Sequence, residues 1–396
     1  MKSRQRWITL CLAVSAGLSP AGCGTPKKLE TAEPTPAIAA TRTPTGTRRA
    51  LTAAPTTTIP AASALPPTET PRPPATETPA PAEKALTDPA ATLDSLEKVD
   101  DYPLYTMRYY GDYGRSMASS REIGGAASTV ADSEWACSLF AALGDGRQRV
   151  YGRSFDWQYS PALLLFTDPP EGYDSVSMVD IGYLVESAVA RDLPDLPLAA
   201  REPLLAAPFW PFDGMNEHGL VIGMAAVSDS ETPYDPDKPT IDSLTIIREM
   251  LDHARDVDEA ISIVDQYNID WGGGPALHYL IADAAGEAVL IEFLEGQMVL
   301  IANPHQSPWH LATNHLRSRV APDGPSGCWR YDAIDRDLAG SQGRMGVEEA
   351  LDLLTDVAQD STQWSVVYDL TRRGIHVAMG RAYDRVHRFE LAQPAP

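Results

Sequence analysis

Cysteine is nearly absent from this chain of 396 residues, which has only Cys11, Cys23, Cys137 and Cys328. No two of them form a CxxC pair and none has a histidine at zinc-ligand spacing, so neither a metal site nor a dithiol redox centre is expected. Basic charge is scarce as well. The net charge is −22, divided into +4 over residues 1–90 and −26 over the remainder. A domain that acidic repels phosphate backbones, which argues against nucleic acid as a partner. Residues 24–89 contain few large aliphatic or aromatic side chains and consist mainly of Thr, Pro and Ala. Such a segment cannot bury enough apolar surface to offset its ordering entropy, and it reads as a disordered, extended linker. No internal repeat is present, so a solenoid or propeller is not expected.

What is present begins with Lys2, Arg4 and Arg6, followed by an apolar stretch over residues 7–18. That stretch is too short for a bilayer-spanning helix, which needs roughly 20 residues. A basic start followed by a short apolar run is the order of an export signal. Small residues then lead to Cys23. Residues 1–23 resemble a bacterial lipoprotein signal, which would make Cys23 a lipidation site and anchor the protein to a membrane, facing outward. Pro20 stands where that pattern has Leu. An ordinary cleaved signal has the same beginning, and both readings predict export.

Residues 90–396 read as one folded domain, with residues 90–136 preceding Cys137 and carrying one strand, 104–110. The apolar runs 137–143 and 149–155 flank Gly144-Asp145-Gly146, a hairpin signal. Further strands are expected at 162–167, 175–185, 220–227, 277–282, 288–293, 298–302, 310–313, 365–370, 375–379 and 386–391. Helices are expected at 90–99, 241–254, 257–267, 329–338 and 347–357, with Thr240 and Asp256 opening the second and third. Blocks of strands with paired helices predict an α+β fold in which helices cover the outer faces of sheets.

Cys137 is the residue with the most chemistry to offer. A nucleophilic thiol needs a base and an oxyanion stabiliser. None of the eight histidines stands with Cys137 in a cysteine-protease signature. If the Ala136–Cys137 bond is cut, the cysteine's own α-amino group is released, and its pKa of about 7.7–8.0 suits proton transfer near neutral pH.

Five ordered pieces of sequence carry a resemblance: Cys137 with Gly152, Arg153 and Asp156; "DGMNEHGLVIGM" over 213–224; "ALHYLIADAAGEAVLIEF" over 276–293; "LATNH" over 311–315; and "CWRYDAI" over 328–334. Together they resemble the choloylglycine hydrolase and penicillin V acylase family of N-terminal-nucleophile (Ntn) hydrolases, which includes linear amide C–N hydrolases and is related to isopenicillin N acyltransferases. The resemblance implies a four-layer αββα sandwich of antiparallel sheets, a small-molecule N-acyl amide substrate and no cofactor or metal. It makes Cys137 the nucleophile, with residues 137–396 as the catalytic domain. Asp156 would orient the amine, Arg153 would hold the thiolate, Asn314 would serve the oxyanion hole and Arg330 would complete the charged cluster. Bile salt hydrolases have a second oxyanion Asn where this chain has Ala226.

Each residue taken alone has a plainer role. Cys137 would be a core cysteine, Arg153 and Asp156 a hairpin ion pair, Asn216 and Glu217 a turn before a strand, Asn314 a loop cap and Arg330 a surface charge. A Cys137–Cys328 disulfide is a further alternative to a functional thiol at 137 beside a bland one at 328. The Leu- and Pro-rich stretch 193–211, with Phe209 and Trp210, is expected to line an apolar acyl pocket. Hydrolysis, acyl transfer and a stalked binding protein without catalysis are the competing functions. The hydrolase reading further predicts self-cleavage between Ala136 and Cys137.

Overall fold

The computed structural model describes residues 87–113, 136–185, 192–303, 307–321 and 324–392. Cys23 and the linker up to residue 86 lie outside them. The described chain opens with α1 (Pro89–Asp94), started by Pro89 at its first position and by the Asp88 carboxylate, which accepts from the Ala91 amide at 2.9 Å. The helix expected over 90–99 stops there. Its second half is strand β1 (Glu97–Asp100), antiparallel to β2 (Leu104–Tyr109). Pairing overrides the helical preference of Glu97 and Lys98.

The hairpin reading places β3 (Ala136–Ala142) against β4 (Val150–Asp156), with Ala136 opposite Asp156 and Leu139 opposite Arg153. Next come β5 (Ala162–Thr167) and β6 (Ser175–Asp180). β6 is shorter than expected because the Asp180 carboxylate accepts from the Gly182 amide and turns the chain into a short 3₁₀ segment. A 3₁₀ turn (Leu193–Asp195), α2 (Leu198–Arg201) and a 3₁₀ stretch (Glu202–Phe209) lead to β7 (Pro211–Asn216) and β8 (Val221–Val227). At the turn between them Gly219 has φ +75°, and a Cβ there would meet the Leu370 carbonyl at 2.4 Å, so only glycine fits.

A short parallel pair, β9 (Thr240–Asp242) with β10 (Asn268–Asp270), brackets α3 (Thr245–His253) and α4 (Val257–Val264). Thr240 is therefore strand, and Asp242 accepts from the Leu244 amide at the helix entry instead. Asp256 does cap α4, accepting from the Glu259 amide at 2.9 Å. The remaining strands are β11 (Ala276–Ala282), β12 (Ala288–Leu294), β13 (Gln297–Ala302), β14 (Trp309–Ala312), β15 (Thr362–Asp369), β16 (Gly374–Met379) and β17 (Val386–Glu390). Helices α5 (Trp329–Ser341) and α6 (Val347–Asp356) precede β15.

The strands form a nine-stranded sheet, β1-β2-β5-β6-β7-β8-β11-β12-β13, and a six-stranded sheet, β14-β3-β4-β15-β16-β17. Pairing in both is antiparallel except between β2 and β5. Helices α3 and α4 cover the larger sheet; α5 and α6 cover the smaller. Alternation along β3 assigns the layers. Cys137, Leu139 and Ala141 belong to the core between the sheets, while Phe140 and Ala142 pack with Ile334 and Leu354 of α5 and α6. The sheets approach closely at Gly223 of β8, where a Cβ would lie 2.6 Å from Leu139 and 2.5 Å from the Tyr151 hydroxyl. The result is the four-layer αββα sandwich.

Candidate active site

On the inward face of β3, Cys137 is entirely buried in the core between the sheets as a free thiol. It is therefore not paired with Cys328, which is itself buried and, unlike Cys137, not a free thiol. Period-two alternation puts Arg153, opposite Leu139 on β4, on the same face as Cys137. Its Nη2 lies 3.7 Å from the Cys137 Sγ. Burial pushes the Cys137 thiol above its ordinary range; Arg153, and more weakly Arg330, oppose that rise while Asp156 adds to it. Burial therefore favours the neutral thiol.

Arg153 does not sit beside the thiol unaided. Its Nη1 pairs with the Asp213 carboxylate at 2.7 Å, both groups being fully buried, and the Tyr368 hydroxyl donates to the same carboxylate. The guanidinium also lies over the rings of Phe155 and Trp364, 4.8 and 5.8 Å from their centroids. Asp213 is the residue that sequence reasoning did not assign to the site. It opens the "DGMNEHGL" stretch, but it is 60 positions from Arg153, and only the β7 register brings them together.

Asn314 and Arg330 meet Cys137 from the other side. The Asn314 Oδ1 accepts from the Cys137 backbone nitrogen at 2.6 Å and from Arg330 Nη2 at 3.1 Å. Its Nδ2 donates to the Ala226 carbonyl at 2.9 Å. The Asn314 amide group is thus engaged at both ends, its oxygen on the Cys137 nitrogen and its nitrogen on the Ala226 carbonyl. Ala226 contributes through its backbone to the same contact. Arg330, the second residue of α5, donates to the Cys137 carbonyl and to the Ser138 hydroxyl. It is a buried site residue, not a surface charge.

Asp156 stands opposite Ala136, the residue before Cys137. Cys137 is still in peptide linkage to Ala136, so its nitrogen has one hydrogen, and that hydrogen goes to Asn314. The Asp156 carboxylate accepts from Thr362 Oγ1 and from Gln359 Nε2 (2.7 Å) and lies 3.9 Å from Arg330 Nη1. Burial raises its pKa, against the lowering effect of Arg330 and the two hydrogen bonds.

Of the pair expected to line an acyl pocket, Phe209 is buried in a core cluster with its ring edge-on to Tyr113 at 6.0 Å, so it is a packing residue. Trp210 is half-buried and stacks on Tyr183 at 5.6 Å. Tyr183 touches Phe212, and Phe212 touches Phe155, directly across from Cys137. A row of aromatic rings therefore runs from Trp210 to Phe155 beside Cys137. A separate cavity of about 610 Å³, lined by Arg108, Phe166, Arg372 and Glu390 among others, includes none of these residues. Asn216 has the structural role read from the sequence: it donates to the Leu251 and Ala254 carbonyls at the end of α3 and accepts from the amides of its own turn.

Residues 211–396 match the model of the family described as acyl-coenzyme A:6-aminopenicillanic acid acyl-transferase. Among solved structures, the chain is similar to penicillin V acylase from Agrobacterium tumefaciens, at 16% identity over 64% of this chain and 86% of that one, with a TM-score of 0.44. It is also similar to two variants of the conjugated bile acid hydrolase from Clostridium perfringens, at 13% and 14% identity over 64% of this chain and 92% of each, with TM-scores of 0.43 and 0.45.

Proposed function

We propose that the protein is an exported, lipid-anchored enzyme that cleaves linear N-acyl amides through a thioester on Cys137, a reading supported by the match of residues 211–396 to the model of the acyl-coenzyme A:6-aminopenicillanic acid acyl-transferase family. The observation that carries this reading is the clustering at Cys137: its thiol beside Arg153, its nitrogen on Asn314 and its carbonyl on Arg330, all buried. Once the Ala136–Cys137 bond is hydrolysed, the nitrogen is an amine. That amine takes the thiol proton as sulfur attacks the substrate carbonyl, and returns it to the departing amine as the C–N bond breaks. Water then attacks the thioester, releasing the carboxylic acid and the thiol. The aromatic row ending at Trp210 favours an apolar acyl group.

The test is amine release from a panel of N-acyl amides, with Cys137→Ala as control. Turnover in wild type and none in Cys137→Ala is expected; turnover that survives the substitution overturns the mechanism. The family match also supports acyl transfer. A second amine added to the assay separates the two, because a transferase converts the thioester to a new amide and a hydrolase gives mainly acid.

A further inference from the structure

A second buried ionisable pair lies close to the site but has no part in the chemistry just described. His278 of β11 and Glu292 of β12 are both fully buried, with Nδ1 3.2 Å from Oε1. The His278 Nε2 lies 2.8 Å from the Thr313 carbonyl, which can only accept, so that nitrogen donates. Glu292 Oε1 also accepts from the Arg317 amide at 2.7 Å, and Oε2 from the Ser318 amide at 2.9 Å. Burial alone would raise the Glu292 pKa; the hydrogen bond and charge of His278 and the bonds from Ser318 outweigh it and bring the value to about 2. The carboxylate is ionised and fully engaged.

These contacts have one thing in common. They grip the loop after β14 on either side of Asn314, at residue 313 by the histidine and at residues 317 and 318 by the glutamate. The pair belongs to the larger sheet, whereas the loop extends a strand of the smaller one. Asn314 in turn reaches the Cys137 nitrogen and the Ala226 carbonyl of β8, next to the strand that carries His278. We propose that His278 and Glu292 are a positioning pair for the nucleophile. By fixing the loop they set Asn314 at hydrogen-bond distance from the Cys137 nitrogen, and so set the reactivity of the thiol without touching substrate. The inference rests on the reading of Cys137 as nucleophile.

The experiment compares Glu292→Gln, His278→Ala and His278→Gln with wild type, each alone and with Asn314→Ala, in the full chain. Three quantities are measured: the rate of Cys137 alkylation by iodoacetamide, located by mass spectrometry; kcat and KM for amide release; and Tm. Misplacing one reactive group costs up to about 100-fold, so Glu292→Gln and His278→Ala should lower alkylation and kcat about 10- to 100-fold with KM nearly unchanged. His278→Gln, whose amide can still donate to Thr313, should recover much of the loss. In the Asn314→Ala background, none of the three should lower the rate further, because a pair that works through Asn314 has nothing left to position. Unchanged alkylation in folded Glu292→Gln overturns the proposal, as does a full further loss in the Asn314→Ala background. Should Glu292→Gln fail to fold, the two His278 variants decide. Should wild type be alkylated yet release no amine, the proposed function fails while the alkylation comparison still judges the pair.

Discussion

Arg153 faces two anions-to-be, the Cys137 thiol at 3.7 Å and the Asp213 carboxylate at 2.7 Å, with no exposure to water. Removing one partner of a buried pair leaves the other uncompensated, at a cost of about 3–5 kcal/mol, whereas removing both is often close to neutral. Arg153→Met should therefore lower Tm clearly, and Arg153→Met with Asp213→Asn should regain most of it. Reactivity should not return with stability. The guanidinium is the strongest influence opposing the burial that raises the thiol pKa, so both variants should shift the pH profile of Cys137 alkylation upward. An unshifted profile in the double variant would remove Arg153 from the chemistry. Cys137, Arg153, Asn314 and Arg330 were legible as a group because the pieces of sequence that carry them occur in a recognisable order. The sequence did not display Asp213 as a partner of Arg153, or Phe209 as a partner of Tyr113, because those pairings depend on strand register and on packing between remote segments.

At the scale of elements, strands β1 and β2, which precede Cys137, are part of the larger sheet. β2 runs parallel to β5 over six paired residues, and Leu104, Tyr105, Met107 and Tyr109 are buried. The Tyr113 hydroxyl donates to both Asp252 oxygens at 2.8 Å, and Tyr102 reaches Gln363. Each large side chain of this kind stabilises by roughly 1.5–3 kcal/mol when buried. If Cys137 attacks the Ala136 carbonyl and water resolves the ester, the released fragment should stay docked. We expect purified wild type to give two fragments on a denaturing gel, the second beginning at Cys137, and one peak on native size exclusion in high salt. The Cys137→Ala protein should remain one chain. Active enzyme that is a single intact chain would falsify the cleavage step. Strand β2 was legible from its aromatic richness, as was the β3–β4 hairpin from its glycine turn. The β1 strand and the start of α3 were not, since Glu97–Asp100 and Thr240–Asp242 become strands only through partners distant in sequence or through a turn the spacing does not specify.

Across the whole molecule, the buried acids set how stability varies with pH. Asp180 is 1% exposed, and burial raises its pKa to about 7, opposed only by the Ser160 hydroxyl and the Gly182 amide. Between the ordinary value of 3.8 and about 7, the folded state keeps a proton that the unfolded state has lost. Stability therefore falls as pH rises through that window and levels off above it. Asp156, Asp213 and Asp252 are raised as well and act in the same direction. Glu292 has the opposite sign. Its pKa is lowered from 4.5 to about 2, so its contribution is complete above 4.5 and is lost as pH falls towards 2. His310 and His315, lowered by burial from 6.5 to about 4, likewise lose their contribution as pH falls from 6.5 towards 4, while the net charge of −22 adds self-repulsion at higher pH. Asp180→Asn keeps the acceptor for Gly182 and removes the ionisation. Its Tm advantage over wild type should grow from pH 4 to pH 8, towards a ceiling on the order of 4 kcal/mol for a shift of about three units. Thermal melts of both proteins across that range check it. A Tm difference that stays constant with pH would mean that Asp180 is ionised in the folded protein, with water or a cation reaching the end of β6.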